Sequence, residues 1–560
     1  HKAIHSFPTR RSSDLDDYYG NDKLYASMNV AGLAHVVAVS GMHVAFLVGV
    51  LQSILGKNRR SSLICICLVW LFVIMVGSPL SAIRAGIMIS LLMLAPVLGR
   101  INDRATTLSF ALALILITNP FSAGSVALQL SFGAVAGMFL FSQPIYAYFS
   151  KKFSPPRAFG AVWNYIIATL SSSLAVTVFT FPLLAVHFGY ITLLAPMMNI
   201  LCLWAISFLF VGGFAVCAVG LVLSAPASWL AAVLSCLVRY IAFVVEYAAK
   251  LPITALYMEN KYAPAWLLIS YALFIAYFLL RRKKKINVFA PSALCLAMLC
   301  GVFALTGRDM RSDTGTISVM NVGNGQCIAV TEGESVVVID CGSYGVTQNA
   351  GSMLSSYLRA GGRYDIDYLM LTHLHSDHTT GVVRLLNLMN VNTVILPNNA
   401  EDTNGDNVLD DIIAACEDNG TNVVYITHDT EFTAGAIRLS VYESSERGSR
   451  DESGIMSTVS VGDYDMLVTG DVEKIVEREL VSSHDLSGTE LLIVPHHGSK
   501  YSTSDELLSA LRPETAVIST GYNRYGHPTK ETLDKLNEYG VNVLRTDELG
   551  RIVLHVASGD

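Results

Sequence analysis

The chain has 560 residues, of which 52% are hydrophobic and 15% are charged, and its mean hydropathy is +0.47. Because soluble domains carry about 25% charged residues, this composition excludes a purely soluble protein, a disordered chain and a small disulfide scaffold. Charge is also unevenly divided. Residues 1–306 hold 21 Lys and Arg against 7 Asp and Glu, whereas residues 307–560 hold 17 against 38. An apolar, basic half therefore precedes a polar, acidic half.

The first fifteen residues differ in character from the rest of the chain. They read HKAIHSFPTRRSSDL, and no apolar core comes after their basic residues, so they are not a signal peptide. We interpret residues 1–15 as a non-native leader. We also expect the natural protein to have an N-terminal part that this sequence lacks.

Long apolar stretches dominate the first half. A membrane-spanning helix needs about 20 mostly apolar residues, and about ten successive stretches of this kind are hard to reconcile with one large soluble core. Residues 16–306 are therefore predicted to form a polytopic membrane domain, in which 192–222 is long enough to be bent or to form a re-entrant pair. The predicted spans are 35–55, 62–77, 80–98, 105–118, 125–142, 163–186, 192–222, 227–248, 263–280 and 287–306.

The loops between these stretches predict an orientation. Lys and Arg concentrate in alternate loops, and loops rich in Lys and Arg are cytoplasmic in membrane proteins. The basic run 281–285 is thus predicted to be cytoplasmic, and the last span, 287–306, then leads the chain out. We expect the remaining part, 307–560, to lie outside the cytoplasm.

Short strands separated by turns begin at residue 316. Stretches such as TISVMNV, SVVVID, DYLMLTH, MLVTGD and LLIVPHH are typical of strands. Helical stretches at 347–360, 471–482, 504–511 and 530–539 lie between strands. Strands interleaved with helices predict a layered αβ domain over 307–560.

The most specific motif directly follows the predicted strand 367–371. His373, His375, Asp377 and His378 stand close together in the sequence, and burying all of them without partners would be costly. Neutral imidazoles and a carboxylate are ligands for Zn²⁺ or Mn²⁺, and two such ions can activate water for a displacement. We predict a site for one or two divalent ions; the alternative is a solvated polar loop.

Further candidate ligands come directly after later strands. Asp471 ends a Thr-Gly-Asp motif, His496 and His497 stand in Pro-His-His-Gly-Ser, and His527 stands in Gly-His-Pro. Alone, each is weak, since a turn aspartate or a surface histidine is more common. Because strand ends meet at one rim of a layered domain, these residues and the 373–378 motif together indicate one site.

These motifs resemble the metallo-β-lactamase-like hydrolases, and the longer match is to the ComEC/Rec2 family of competence DNA-internalisation proteins. The resemblance implies a polytopic α-helical membrane domain followed by an αββα metallo-β-lactamase-like domain. The matching segments are His35-Val-Val-Ala-Val-Ser40-Gly41-Met-His43, Arg84-Ala85, Gln129-Leu-Ser131, 181–199, the strand motif 321–326, the loop 373–378, and the TGD, HHGS and GHP motifs.

Two departures from the family pattern concern the metal site. The family usually has acidic residues where Asn321 and Gln326 stand, and an amide cannot supply an anionic ligand. No further ligand histidine is obvious between 379 and 470, where His428 stands in a polar turn. The sequence leaves open weaker metal binding, a single ion, or assistance from Asp340.

A second group of polar residues lies within the apolar half. Polar residues at membrane depth are costly and usually face a cavity or a partner helix. His35 and His43 are eight residues apart, which would put them on one face of a single helix. Such residues either line a path for the transported molecule or hydrogen-bond neighbouring helices. The candidate path residues are His35, Ser40, Gly41, His43 and Arg84.

The resemblance implies uptake of single-stranded DNA through the bacterial inner (plasma) membrane. The second domain would then be a metal-dependent nuclease that degrades the strand that is not transported. The catalytic candidates are Asp377, Lys500 as a phosphate contact, and His527. The implied partners are the transported single strand, membrane lipid and other competence proteins, and the oligomeric state stays open.

Three alternatives remain at the level of sequence. They are a membrane-anchored metallo-hydrolase of another phosphoester, a DNA channel with a catalytically degenerate domain, and a transporter of another solute. DNA affinity rests on Lys and Arg contacts to phosphate, but residues 307–560 are acidic. In addition, the sequence of this half reveals no basic-aromatic stripe of the kind that binds single strands.

Overall fold

The chain forms two compact units, one of residues 24–258 and the other mainly of residues 259–560. The structure is a computed structural model. It describes residues 22–37, 41–56, 58–99, 103–153, 159–280, 289–311, 314–346, 348–398, 408–443 and 454–557.

The first unit is almost entirely helical. In a lipid bilayer every backbone N–H and C=O must find its partner within the protein, which favours helices over long apolar sequences. A short antiparallel pair, β1 (Tyr190–Thr192) with β2 (Ala255–Tyr257), is its one sheet among the described residues. The helices are α1 (Asp22–Val30), α2 (Ala34–Val37), α3 (Gly41–Leu55), α4 (Arg59–Met75), α5 (Leu80–Val97), α6 (Arg104–Thr118), α7 (Val126–Gly137), α8 (Gln143–Lys152), α9 (Gly160–Phe188), α10 (Ala195–Gly220) and α11 (Ser224–Ala249).

The predicted apolar stretches fall on helices, with one difference. Stretch 192–222 forms the continuous helix α10 rather than a bent or re-entrant pair. Stretch 35–55 carries α2 and α3, and residues 38–40 lie outside the described part of the chain. The placement of His35 and His43 on one helical face therefore stays a prediction.

Six helices in the described part of the chain are long and apolar enough to cross a membrane. Large apolar side chains such as Phe208, Trp229 and Phe243 are exposed on them, as side chains that face lipid would be. Three apolar helices are shorter: Gly41–Leu55, Ser81–Ala95 and Ala105–Thr118. The six long ones are Val126–Lys152, Gly160–Phe188, Ala195–Gly220, Ser224–Ala249, Ala263–Leu280 and Ala290–Met310.

The second unit begins with a helical hairpin of α12 (Ala263–Leu280) and α13 (Phe289–Met310). The Trp266 indole N–H donates to the Cys295 carbonyl at 2.9 Å, which joins the two helices. The buried Asn260 amide donates to Thr306 Oγ1 at 2.6 Å and to the Ala360 carbonyl at 2.8 Å. These bonds fasten the hairpin to the β-rich part of the same unit.

The rest of the second unit is an αββα sandwich of two seven-stranded sheets. The strands are β3 (Thr314–Val319), β4 (Cys327–Glu332), β5 (Ser335–Cys341), β6 (Asp365–Met370), β7 (Asn390–Pro397), β8 (Asn422–Ile426), β9 (Thr430–Ala434), β10 (Ile437–Tyr442), β11 (Met456–Val461), β12 (Tyr464–Val468), β13 (Thr489–Ile493), β14 (Thr515–Ile518), β15 (Asn542–Arg545) and β16 (Ile552–Ala557). One sheet has the order β16-β3-β4-β5-β6-β7-β8, and the other has the order β15-β14-β13-β12-β11-β10-β9.

The two sheets repeat one pattern. In each, antiparallel neighbours change to parallel ones, at β5–β6 in the first sheet and at β12–β13 in the second. Parallel strands need crossover helices, and these cover the outer faces. The helices of this part are α14 (Ala350–Ala360), α15 (Ser376–Thr379), α16 (Val382–Leu388), α17 (Val408–Asn419), α18 (Lys474–Ser483), α19 (Asp505–Leu511), α20 (Lys530–Glu538) and α21 (Thr546–Leu549).

Three apolar cores hold the sandwich together. One lies between the sheets and includes Ile339 and Ile493, and one lies beneath α18 to α20. The third lies between the first sheet and its outer helices and includes Val338. Strand β5 contributes to both faces of its sheet, and its residues from Val336 to Cys341 are all buried. A strand covered on both faces reads as a continuous apolar run, which is why SVVVID is recognisable as a strand.

Candidate metal centre

The candidate ligands converge at the ends of strands from both sheets. The loop after β6 carries the histidines and aspartate of 373–378, Asp471 comes after β12, and His496 and His497 come after β13. Parallel neighbours end at the same edge of a sheet, so β12 and β13 deliver their ligands side by side. The structure brings the 373–378 loop, Asp471, His496 and His497 close together.

Four of these residues form a compact donor group. One nitrogen or carboxylate oxygen from each of Asp377, His378, Asp471 and His497 lies within 4.8 Å of all the others. His378 Nε2 is 3.2 Å from Asp471 Oδ1, and His497 Nε2 is 3.7 Å from Asp377 Oδ2. In the described part of the chain, His378 Nε2, His497 Nε2 and Asp471 Oδ1 are buried without a hydrogen-bond partner. A divalent cation would satisfy all three atoms, so the donor set fits a metal ion.

Two further histidines lie near the other oxygen of Asp471, and a third lies against one of them. His373 Nε2 lies 4.0 Å and His496 Nε2 3.8 Å from Asp471 Oδ2. His375 Nδ1 lies 3.1 Å from His373 Nε2, with the two rings at 82° to each other. The two oxygens of Asp471 therefore face two separate sets of donors, an arrangement suited to a carboxylate that bridges two ions.

The buried Asp340 carboxylate orients two of these histidines. Its Oδ2 accepts from His378 Nδ1 at 2.8 Å and from the Thr372 hydroxyl at 2.8 Å, and its Oδ1 accepts from the Thr372 amide at 2.7 Å. Because the Thr372 hydroxyl hydrogen is used on Asp340, its oxygen accepts from His373 Nδ1, 3.1 Å away. A histidine that donates through Nδ1 presents the lone pair of Nε2 to a metal, so Asp340 sets this tautomer for both His378 and His373.

His497 is oriented in the same way by the backbone. Its Nδ1 donates to the Ser519 carbonyl at 2.8 Å, which leaves Nε2 directed at the two aspartates. The Ser519 hydroxyl in turn donates to the Gly325 carbonyl at 2.6 Å. A Cβ on Gly325 or Gly342 would lie 2.7 or 2.0 Å from the Asp377 carbonyl oxygen. Glycine at these two positions allows both loops to pack against the metal-ligand loop.

The charges of the site are strongly coupled. Burial disfavours the ionised form of Asp377, yet the nearby His497 imidazole and the charge of His378 lower its pKa to about 2. Burial also disfavours the imidazolium of His378, but the Asp471 and Asp340 carboxylates raise its pKa well above the usual value. Burial and the neighbouring His378 lower the pKa of His373 to about 3. His373 is thus neutral and able to ligate, whereas His378 must release a proton when a metal binds.

The backbone is strained at two candidate ligands and at the carboxylate that orients other ligands. Asp340, His496 and His497 have positive φ angles of 55°, 50° and 53°, which cost roughly 1–3 kcal/mol for residues other than glycine. Thr503, with φ 59°, stands a few residues later. The buried Glu477 carboxylate accepts from the Thr503 and Ser504 amides, both at 2.7 Å. Glu477 therefore holds the loop that comes after the two ligand histidines.

The structure changes the interpretation of Gln326. Its side chain is not part of the donor group, and its Nε2 donates to Asp340 Oδ2 at 2.8 Å. Its backbone amide donates to the Asp377 carbonyl at 3.0 Å. Gln326 supplies a neutral hydrogen-bond donor to the Asp340 carboxylate, so this departure from the family pattern removes no metal ligand. Asn321 is partly buried just after β3.

The other predicted residues of this half differ in their distance from the cluster. His527 borders it, because its ring centroid is 5.6 Å from that of His496. Lys500 is exposed, and its ammonium group lies 5.1 Å from the centre of the Tyr501 ring. His428 is exposed in the turn before β9 and pairs with Thr427.

The polar residues of the membrane unit are dispersed over several helices. Arg84 on α5 is 5% exposed, and its Nε has no hydrogen-bond partner in the described part of the chain. Gly41 lies against Ala85, since a Cβ at Gly41 would be 3.5 Å from the Ala85 Cβ. His43 packs against Phe210 with ring centroids 5.2 Å apart, and His35 is exposed. Ser40 lies outside the described residues.

The sequence motifs do not identify the residues that support the ligands. Nothing in them marks Thr372, Ser519 or Glu477, and they suggest Asp340 only as a general aid to metal binding. The available signal is position: Asp340 ends β5, next to the strand that delivers the metal loop, and Thr372 precedes His373 directly. A buried acid at such a strand end is a natural second partner for a ligand histidine.

The sandwich and its convergent donors define a metallo-β-lactamase-fold domain in a membrane protein, and the fold and site imply divalent metal binding. The metallo-β-lactamase superfamily model matches residues 320–440, and the competence protein model matches residues 17–285. Metallo-β-lactamase SMB-1, a solved structure, aligns at 14% identity and a TM-score of 0.24, covering 32% of this chain and 81% of its own.

Two curated relatives align along nearly the whole chain. ComE operon protein 3 of Bacillus subtilis is 25% identical, covering 96% of this chain and 70% of its own length. Competence protein ComA of Neisseria gonorrhoeae is 24% identical, covering 96% and 72%. The resemblance to the ComEC/Rec2 competence proteins is therefore confirmed: the chain joins a competence-protein domain to a metallo-β-lactamase domain.

Proposed function

We propose that this protein carries single-stranded DNA across the bacterial inner membrane, and that its metallo-β-lactamase domain hydrolyses the strand that is not transported. The observation that carries the proposal is the convergence of candidate ligands around Asp471, with a nitrogen of each of four histidines within 4.0 Å of one of its oxygens: His373, His378, His496 and His497. The match to the competence protein model and the alignment with Competence protein ComA support DNA as the substrate class. The basic loop before α13 supports placing the hydrolase domain outside the cytoplasm.

Two divalent ions, Zn²⁺ or Mn²⁺, would share Asp471 in this proposal. His373, His375 and His496 would hold one ion, and Asp377, His378 and His497 would hold the other. The ions would supply Lewis-acid activation of water and neutralise charge on the phosphodiester. His496 would then take the place of the ligand histidine that is missing between 379 and 470.

The remaining residues would act on the phosphodiester itself. Burial and the neighbouring His496 lower the pKa of His527, so its imidazole is neutral near pH 7. It would donate a hydrogen bond to a phosphate oxygen rather than transfer a proton. Lys500, exposed beside the two ligand histidines, would add a point charge for the phosphate. In the membrane unit, the buried Arg84 would face the sugar-phosphate backbone of the transported strand, together with His35, Ser40, Gly41 and His43.

The test is metal-dependent cleavage by the full-length chain, purified in detergent and given linear DNA. With Mn²⁺ or Zn²⁺ we expect cleavage by the wild type and loss of it in Asp471→Asn. Asp365→Asn is the matched control, since that exposed carboxylate accepts only a side-chain bond from Asn390 among its described contacts. No cleavage by metal-loaded wild type, or full activity in Asp471→Asn, would contradict the nuclease.

A second candidate is hydrolysis of a small phosphoester by the same site. It is favoured by the acidic character of residues 307–560, with 38 Asp and Glu against 17 Lys and Arg, because such a surface repels DNA away from local cations. Cleavage of a small diester such as bis(p-nitrophenyl) phosphate without cleavage of DNA would support this candidate over the first.

A further inference from the structure

Three tyrosines are exposed on adjacent loops next to the metal centre. Tyr344, Tyr522 and Tyr525 are 51%, 89% and 69% exposed. Single exposed aromatic residues are common on protein surfaces. A group of three exposed aromatic residues at the border of a candidate active site instead indicates a binding surface. We name Tyr344, Tyr522 and Tyr525 the tyrosine rim.

The loops that carry the tyrosine rim are fixed against each other. A Cβ on Gly521 would lie 2.6 Å from the Gly323 Cα, and one on Gly345 would lie 3.3 Å from the Tyr522 carbonyl oxygen. The backbone amide of Asn324 donates to the Tyr344 carbonyl at 3.0 Å, which ties the loop after β3 to the loop after β5. The rim is thus part of one packed surface.

Asn523 holds the outer loop in shape. Its side-chain oxygen accepts from the Tyr525 and His527 amides at 3.1 and 3.0 Å, and its amide donates to the carbonyls of Gly521 and His527 at 2.9 and 2.7 Å. A side chain that closes four bonds within one short loop limits its conformations. Little conformational entropy would then be lost when a ligand binds to Tyr522 or Tyr525.

Ring contacts connect the rim to the metal ligands. The Tyr525 ring centroid is 6.0 Å from that of His527, which is 5.6 Å from that of His496. His496 Nε2 lies 3.8 Å from Asp471 Oδ2. A polymer whose phosphate lies at the metal centre would therefore pass its neighbouring units over the rim.

Charge beside the rim suits a polyanion. Arg524, between the two outer tyrosines, is exposed. Lys500, three residues after the candidate ligand His497, is exposed as well, with its ammonium 5.1 Å from the centre of the Tyr501 ring. These cations stand on a domain whose sequence is otherwise acidic, so a polyanion would be favoured here over the rest of the surface. Aromatic faces combined with cations are the elements of a single-strand binding platform.

We propose that the tyrosine rim stacks the unpaired bases of a single-stranded nucleic acid beside the metal centre. Bases in a duplex are stacked on each other and offer no free face, so the rim selects single strands. This inference rests on the proposed function for its ligand class, and it adds the residues that recognise the bases. The sequence conceals this surface, because its tyrosines come from loops of both sheets.

The test is a binding titration with the full-length chain in nanodiscs and EDTA, so that no strand is cut. The probes are a fluorescent oligothymidylate of about 12 nucleotides, within the usual site size, and an abasic deoxyribose-phosphate chain of equal length and charge. We expect the wild type to bind the oligothymidylate more tightly. Each of Tyr522→Ala and Tyr525→Ala should weaken that binding roughly fivefold or more and leave the abasic probe unaffected.

Two further variants make the result specific. Tyr522→Phe should bind like the wild type, because the ring is retained. Tyr539→Ala is the matched control, since Tyr539 is 40% exposed just after α20, in the outer helical layer. Three results would overturn the proposal: equal binding of the two probes by the wild type, no binding of the oligothymidylate, or unchanged binding in the alanine variants. A lipid surface would then be the alternative occupant of the rim.

The outcomes also separate this proposal from the nuclease. Base-dependent binding that requires the tyrosines, without cleavage in the metal-loaded assay, would contradict the nuclease and keep the platform. Cleavage together with equal binding of both probes would keep the nuclease and contradict the platform.

Discussion

Replacing Asp340 by asparagine should weaken metal binding although Asp340 is not in the donor group. Its Oδ2 accepts from Gln326, Thr372 and His378, and its Oδ1 accepts from the Thr372 amide. Asparagine has one oxygen and one NH₂ group, so at least one of these hydrogen-bond donors would face the NH₂ group, which is itself a donor. A buried amide left unsatisfied costs about 1–3 kcal/mol. Loss of the negative charge also removes what fixes the tautomer of His378.

The expected result is a metal affinity roughly 10–100-fold lower, the usual effect of removing such an outer partner. The affinity of detergent-purified full-length chain for Zn²⁺ would be measured by competition with a chromogenic chelator. Asp365→Asn again serves as the matched control, because Asp365 is exposed at the start of β6. Wild-type affinity in Asp340→Asn would refute the orienting role of this carboxylate.

The same network leads to three other predictions. The pKa values of His378 and His497 are both raised: burial opposes this, but the charge of Asp471 prevails. Both imidazoles therefore release protons when a metal binds, so the affinity for the metal should rise with pH. Calorimetry in buffers of different ionisation enthalpy would detect the released protons. A metal affinity that does not change with pH would contradict this assignment. Gln326→Asp should weaken metal binding, because it places a second carboxylate next to that of Asp340. Tighter metal binding would contradict this and show that an acid is needed at position 326. Glu477→Gln should lower the free energy of unfolding by about 1–3 kcal/mol, because the glutamine NH₂ group would face the Thr503 or Ser504 amide. An unchanged thermal midpoint for the domain would contradict this.

The fold is largely predictable because its elements have simple patterns. Apolar stretches of helical length, and apolar strands such as β5 that are buried on both faces, can be recognised one segment at a time. The convergence of the 373–378 loop, Asp471 and His497 is also predictable, since each motif comes directly after a strand and strand ends share a rim.

The features that escape prediction depend on contacts between distant segments. The sequence alone suggests that Gln326 replaces an acidic ligand, but its orientation toward Asp340 is set by the pairing of β4 with β5. The tyrosine rim is hidden in the sequence because Tyr344 and Tyr522 become neighbours only when the loops of the two sheets pack together.

The decisive measurement is the number of metal ions bound per chain, together with the residues that hold each one. Elemental analysis of the full-length protein, purified without chelators and loaded with Zn²⁺ or Mn²⁺, should find two ions in the wild type, one in His496→Ala and none in Asp471→Ala. A wild type that retains no ion, or an Asp471→Ala variant that retains both, would contradict the bridged metal centre.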